Sequence, residues 1–130
     1  MNPRSLFATF SLAAILTLAA CGGDAAPTPT PAPPTPAGDI AKGKQLYTAT
    51  CVSCHGPEAK GIKGLGKDLT ASDFVKGQSV VDLSKFLAKG RPSSDPLNTT
   101  KIDMPPKGGN PALKDEDLIN IAAFVHSLQK

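Results

Sequence analysis

The clearest hydrophobic pattern lies near the end of the chain, where apolar residues recur every three or four positions. These residues are Leu118, Ile121, Ala122, Val125 and Leu128. This spacing places them on one face of an α-helix. Asp115-Glu116-Asp117 precede the run, and the partial positive charge of a helix N-terminus stabilises acidic residues there. The pattern predicts a closing helix, with Asp115 as its candidate N-cap.

An earlier helix is predicted over residues 40–50. Ile40, Leu46 and Tyr47 fall on one side of it, and Gly43 lies on the same side.

A third helix is predicted over residues 79–89. Ser79 is a suitable N-cap with Asp82 three residues later, and Gly90 is placed to end the helix. The apolar stripe between them consists of Leu83, Phe86 and Leu87. No segment shows the alternation typical of a strand, so the sequence predicts an all-α domain over residues 39–130.

The first twenty residues have the pattern of a secretory signal, with Arg4 before an apolar stretch that is too short to span a bilayer comfortably. The stretch ends in Leu18-Ala19-Ala20-Cys21, which resembles the lipobox of bacterial lipoproteins. That resemblance implies removal of residues 1–20 and attachment of a diacylglyceryl group to the Cys21 thiol. An ordinary signal peptide that ends near a cysteine and an uncleaved anchor are the alternatives.

Residues 21–38 are composed almost entirely of Ala, Pro, Thr and Gly, and they include six prolines. Such a segment cannot build a core, and it favours an extended, polyproline-like chain. At ~3.1 Å per residue, the seventeen residues after Cys21 would reach about 50 Å. The composition predicts a passive tether rather than a recognition motif.

Composition narrows the class of protein. The net charge of +3 includes no block of like charges and gives no basis for nucleic-acid binding. Aromatic residues make up 5% of the 130 residues and tryptophan is absent, so little apolar area is available to a core. Small domains of this kind often gain stability from a cofactor, metal or disulfide.

The candidate chemistry is concentrated in Cys51-Val52-Ser53-Cys54-His55. Two residues between the cysteines allow both sulfurs to reach the two vinyl groups on one edge of a haem and form thioethers. His55 would then lie beneath the iron as an axial ligand. A bare Cys-x-x-Cys also occurs in zinc sites and redox disulfides. The adjacent histidine favours attachment of one haem c.

A sixth iron ligand is predicted at Met104, which is the only methionine besides Met1 and is followed by Pro105 and Pro106. Prolines fix the backbone, so the loop can present a thioether instead of burying it as core filler. His126 is the alternative ligand, although its place on the closing helix predicts an exposed residue. His/Met ligation raises the haem potential and fills the iron coordination sphere, which favours electron transfer over catalysis.

These motifs together resemble a class I cytochrome c over residues 39–130. The resemblance implies the class I fold, with Cys51 and Cys54 as thioether donors, His55 as the proximal ligand and Met104 as the distal one. It also pairs Gly43 with Phe124 where the first and last helices cross. In this family a backbone carbonyl, often beside a proline, orients the proximal histidine. Here Lys67 is in that place.

The sequence therefore predicts a one-electron carrier, not an enzyme, that a lipid on Cys21 holds at the outer face of a bacterial cytoplasmic membrane or in the periplasm. Its predicted partners are membrane redox complexes or other electron-transfer proteins. A fixed subunit of a larger oxidase or reductase is the main alternative, and the chain would be a monomer or such a subunit. A haem peroxidase would need an open iron site, and a sensor would need a signalling domain.

Overall fold

The structure is a computed structural model that describes residues 37–130. The predicted signal segment, Cys21 and residues 22–36 lie outside the described part of the chain. Those three predictions therefore stay predictions.

Residues 37–130 fold into five α-helices and one short 3₁₀ helix, Pro106–Gly109. The α-helices are α1 (Ile40–Thr50), α2 (Val52–His55), α3 (Asp73–Lys76), α4 (Val80–Lys89) and α5 (Asp115–Ser127). Within this range the backbone forms isolated β-bridges but no strand. The all-α prediction is confirmed. No helix in the described range combines the length and the apolar character that crossing a membrane requires.

The core forms where α1 and α4 both pack against α5. Tyr47, Leu118 and Ile121 are its largest fully buried side chains. A Cβ added to Gly43 would overlap the backbone carbonyl of Asn120 on α5 and lie 3.0 Å from the Phe124 Cβ. Only glycine allows the two backbones to approach so closely. The predicted pairing of Gly43 with Phe124 is confirmed.

The beginning of the domain is tied to α5 by hydrogen bonds. The Asp39 backbone N–H donates to Oδ1 of the buried Asn120 side chain at 2.7 Å. The Asp39 carboxylate also caps α1, accepting from the Lys42 N–H at 3.0 Å. The buried amide oxygen of Asn120 thereby gains the partner that burial demands.

The ends of α4 agree with the sequence. Ser79 is the N-cap, with its hydroxyl accepting from the Asp82 N–H at 3.0 Å. Gly90 ends the helix with a φ of 71° and donates its N–H to the Phe86 carbonyl at 2.8 Å. A positive φ there suits glycine, which has no Cβ to clash with the preceding turn.

The predicted cap of α5 is wrong. Lys114 is the N-cap and Asp115 is the first helical residue. Asp117, two residues further, accepts a hydrogen bond from the Lys114 N–H at 3.0 Å. A carboxylate at the third helical position can reach back to the cap in this way. That hydrogen bond, followed by contact with Lys42, lowers the pKa of Asp117.

Candidate functional site

The two cysteines of the motif lie where α1 passes into α2. Cys51 ends α1 and is also the N-cap of α2, and its carbonyl accepts from the Cys54 and His55 N–H groups at 3.2 and 3.0 Å. Residues three positions apart on a helix are neighbours on one face. Both cysteines are half-buried, and they form no disulfide with each other. The short helix therefore presents two thiols and an imidazole within one turn.

His55 is oriented by the backbone of a following loop. Its Nδ1 lies 2.9 Å from the Lys67 carbonyl, which is the carbonyl that the family resemblance indicated. A hydrogen bond at Nδ1 fixes the orientation of the ring and leaves Nε2 free to bind a metal. Lys67 replaces the family's proline here, and the contact is still made because a carbonyl needs no particular side chain.

Gly66 is the residue that allows this contact, and the sequence did not single it out. A Cβ on Gly66 would overlap the backbone carbonyl of Cys54. The loop is also closed on itself, since Ile62 and Gly66 exchange backbone hydrogen bonds of 2.9 and 3.1 Å. Glycine at this position lets the loop lie against α2, so the next residue faces the histidine.

Met104 is held by a short antiparallel bridge. Its N–H donates to the Arg91 carbonyl and the Arg91 N–H donates to the Met104 carbonyl, both at 2.8 Å. A Cβ on Gly90 would overlap the Met104 carbonyl, so the segment after α4 lies close beneath this loop. Pro105 follows in an extended conformation and leads into the 3₁₀ helix. Hydrogen bonds and prolines thus fix the loop from both sides.

A cavity of about 560 Å³ brings the predicted residues together. Cys51, Cys54, His55 and Met104 all line it. The aliphatic and aromatic part of its wall includes Leu65, Leu69, Phe74, Val75, Leu83, Phe86, Leu87, Ile121 and Val125. Its volume lies within the roughly 300–1,000 Å³ of ligand pockets. A flat apolar group with two thiol-reactive positions and a metal fits this set of donors.

Burial changes the titration of two groups at the cavity. It raises the pKa of the Cys51 thiol to about 11, with a further contribution from Cys54. It also raises the pKa of Tyr47 to about 12, with a smaller effect of Cys51. Tyr47 is therefore a neutral donor, and its hydroxyl donates to the Gly56 carbonyl at 2.7 Å. This bond ties α1 to the turn that follows the cysteine motif.

The loop between Arg91 and Met104 was not assigned a role from sequence, yet it forms part of the cavity wall. Buried Asn98 organises it, donating to the Pro92 and Ile102 carbonyls at 3.1 and 2.7 Å. Its side-chain oxygen accepts from Lys101 N–H at 3.0 Å. Polar residues in a proline-containing stretch read from sequence as an ordinary surface loop, because the backbone groups that Asn98 satisfies are not visible there.

His126 is half-buried, which corrects the expectation of an exposed residue. Its Nε2 lies 2.7 Å from the Gln78 carbonyl, the residue before the N-cap of α4. His126 is not among the residues that line the cavity. Helical periodicity placed it beside the apolar stripe but could not show that the loop before α4 covers that side of α5.

The fold and this cavity define a small all-α protein with a cofactor-sized cavity that cysteine, histidine and methionine side chains line. Residues 40–129 match the family model for cytochrome c. Cytochrome c-555 of Chlorobaculum thiosulfatiphilum is 35% identical over 88 residues, which cover 67% of this chain and 93% of that protein. No solved structure gives a significant match.

A second group of relatives consists of larger subunits. The cbb3-type cytochrome c oxidase subunit CcoP of Rhodobacter capsulatus is 32% identical over 87 residues, 66% of this chain and 28% of that subunit. The subunit FixP of a Bradyrhizobium strain is 34% identical over 88 residues, 68% of this chain and 30% of that subunit. The chain thus spans about three tenths of the length of these subunits.

The chain belongs to the cytochrome c family. The predicted class I c-type resemblance is thereby confirmed, and with it a covalently bound haem c as the cofactor. Family membership indicates electron transfer.

Proposed function

We propose that this chain is a mono-haem, membrane-tethered carrier of single electrons. In this proposal Cys51 and Cys54 form the thioethers, His55 is the proximal iron ligand and Met104 is the distal one. The observation that carries the haem site is the cavity, which all four side chains line, whereas the tether rests on the Cys21 motif alone. Bound haem supplies a one-electron ferric–ferrous couple there. The chain's own residues exclude water from much of it and hold both axial side chains in place.

Two backbone contacts support the assignment of the axial ligands. The Lys67 carbonyl at 2.9 Å fixes His55 Nδ1, so that Nε2 is the nitrogen available to iron. The bridge to Arg91 holds Met104 through both its backbone N–H and its backbone carbonyl. Ligands fixed before the electron arrives need little rearrangement between oxidation states, which suits fast transfer.

A potentiometric titration of the purified holoprotein, followed by absorption spectroscopy, tests the proposal. We expect a single one-electron transition and low-spin iron in both oxidation states. Added carbon monoxide should leave the spectrum of the reduced protein unchanged, because both axial positions are filled. Rapid binding of carbon monoxide by the native protein would instead support an enzyme or a sensor.

The lipid anchor is a separate prediction. Mass spectrometry of protein extracted from membranes is expected to show a chain that starts at Cys21 and carries lipid mass on that residue. Stable anchoring needs more than one acyl chain, so the added mass should exceed that of a single chain. Cys21→Ser should carry no lipid mass and should retain its haem. An intact amino terminus, or an unmodified Cys21, would contradict this prediction.

A fixed electron-transfer subunit is the second candidate, and the similarity to the oxidase subunits CcoP and FixP favours it. Purification from mild detergent separates the two. A free carrier elutes alone, whereas a fixed subunit elutes with a larger redox complex in constant proportion.

A further inference from the structure

The wall of the cavity contains a cationic side chain that the function above does not use. The Arg91 side chain is only 16% exposed. Its Cζ lies 4.5 Å from the ring centroid of Phe74 and 4.8 Å from that of Phe86. Both rings line the same cavity. Two aromatic contacts fix the plane of a guanidinium, so this arginine is held in one orientation.

The charge of Arg91 is incompletely compensated by the protein. Its Nε lies 3.4 Å from Asp95 Oδ2, which is an ion-pair distance, but this nitrogen is buried and makes no hydrogen bond. One terminal nitrogen is 3.5 Å from the Leu97 carbonyl, at the limit of a hydrogen bond. Burying a cation is costly unless it is both paired and hydrogen-bonded. The donors of Arg91 therefore favour a further acidic group.

Among the described residues, the cavity wall contains one arginine, Arg91, and one lysine, Lys67. Lys67 is exposed, and its ammonium donates to Thr99 Oγ1 at 2.9 Å. Because it is exposed, that ammonium is open to hydration as well. Of these two residues, Arg91 is therefore the one whose buried charge an anion in the cavity would stabilise.

We propose that Arg91 binds a propionate carboxylate of the haem and so positions the cofactor in the cavity. This inference rests on the proposed function, because it places the haem in that cavity. A planar guanidinium is suited to a carboxylate, which it can bind through two parallel hydrogen bonds. The backbone of the same residue bridges Met104, so one residue links the cofactor's acidic edge to the loop that carries the distal ligand.

The test compares Arg91→Gln with Lys89→Gln in the full-length holoprotein. Both variants remove one positive charge, but Lys89 is an exposed residue at the end of α4. We expect Arg91→Gln to shift the propionate bending band in the resonance Raman spectrum. It should also lower the midpoint potential, because loss of a nearby cation favours ferric iron. Lys89→Gln should leave the band in place.

Two further variants keep the test decisive if Arg91→Gln does not fold. Arg91→Lys retains the charge but not the planar fork, so the band should shift by a smaller amount. Asp95→Asn removes the competing carboxylate, so the band should shift in the opposite direction and the potential should rise. The amide oxygen of asparagine can still accept the Leu97 N–H that Asp95 accepts at 2.8 Å.

A lower potential with an unchanged propionate band in Arg91→Gln would overturn the inference, because it would show only a charge effect through space. Where that variant does not fold, an unchanged band in both Arg91→Lys and Asp95→Asn would do the same. Failure of the proposed function is recognised separately. In that case the unmodified protein itself lacks covalently bound haem or low-spin iron.

Discussion

Replacing both Cys51 and Cys54 by serine is expected to yield a chain without haem that proteases degrade rapidly. A serine hydroxyl is far less nucleophilic than a thiol and does not add to the haem vinyl groups. Noncovalent haem would remain only as long as the fold holds it. The native protein should retain its haem in acidic acetone and on a denaturing gel, whereas the double variant should show none there.

The expected loss of stability is large because the cavity is large for so small a domain. Without haem, the apolar side chains around the cavity lose the group that they would pack against. The remaining core has Tyr47 and Phe124 as its buried aromatic pair. The total stability of a small domain is about 5–15 kcal/mol, so losing the packing of a whole cofactor leaves little margin.

Cys21→Ser is the matched control, because it makes the same chemical change at a cysteine outside residues 37–130. It should leave haem content and protease resistance unchanged. Each single variant should keep one thioether. Its pyridine haemochrome spectrum should differ from that of the native protein, because one vinyl group stays unsaturated. A double variant that still carries haem after acid extraction would show that attachment uses other residues.

The helices with strong local signals could be predicted from sequence. Apolar spacing predicted α5, and the Ser79 and Gly90 signals marked both ends of α4. The start of α5 was misjudged by one residue, because Asp115 and Asp117 are both good acceptors. Only the path of the chain before the helix decides which carboxylate reaches the free N–H.

The short helices α2 and α3 were not predicted, because four residues are too few to show a periodicity. α3 carries Phe74, one of the two rings against Arg91. The role of Gly66 was missed for a related reason. Its value lies in the close approach of a backbone carbonyl from Cys54, which comes from a different segment. Contacts between segments follow from the packed structure and leave no local pattern.

The residues of the candidate site also divide into those with a local sequence signal and those that depend on contacts between segments. The spacing of Cys51, Cys54 and His55 is a local chemical signature, and the lone Met104 beside prolines could be chosen by type. The bridge from Arg91 to Met104 could not be predicted, because it joins two residues thirteen positions apart through backbone atoms alone. Backbone hydrogen bonds carry no residue preference that a sequence displays.

Met104→Ala is expected to remove the sulfur–iron charge-transfer band of the oxidised protein and to lower its midpoint potential. A thioether stabilises ferrous iron relative to the harder ligands that would replace it. Axial ligands set haem potentials over about 0.8 V, and we expect a drop of at least about 0.1 V. At about 59 mV per tenfold for one electron, this is roughly a fifty-fold change in the equilibrium. Absorption spectroscopy during a redox titration measures both effects.

Two further variants separate ligand loss from damage to the loop. Leu97→Ala shortens an exposed side chain of the same loop that also lines the cavity, so it should leave the band and potential close to native values. Met104→His should restore low-spin iron while the potential stays low, because imidazole stabilises ferric iron better than a thioether does. The Arg91 bridge involves only the backbone of residue 104, so it should survive both Met104 substitutions.

Binding of carbon monoxide reports directly whether the sixth position of the iron is open. Met104→Ala should bind carbon monoxide in the reduced state, whereas the native protein and Leu97→Ala should not. An unchanged band and potential in Met104→Ala would mean that another side chain occupies the iron. His126 would then have to leave the Gln78 carbonyl, 2.7 Å away, and α5 would have to move to bring it to the cavity. Such a rearrangement would break the packing of α5 against α4, so we expect it to lower stability as well, which Met104→Ala with an open iron site would not require.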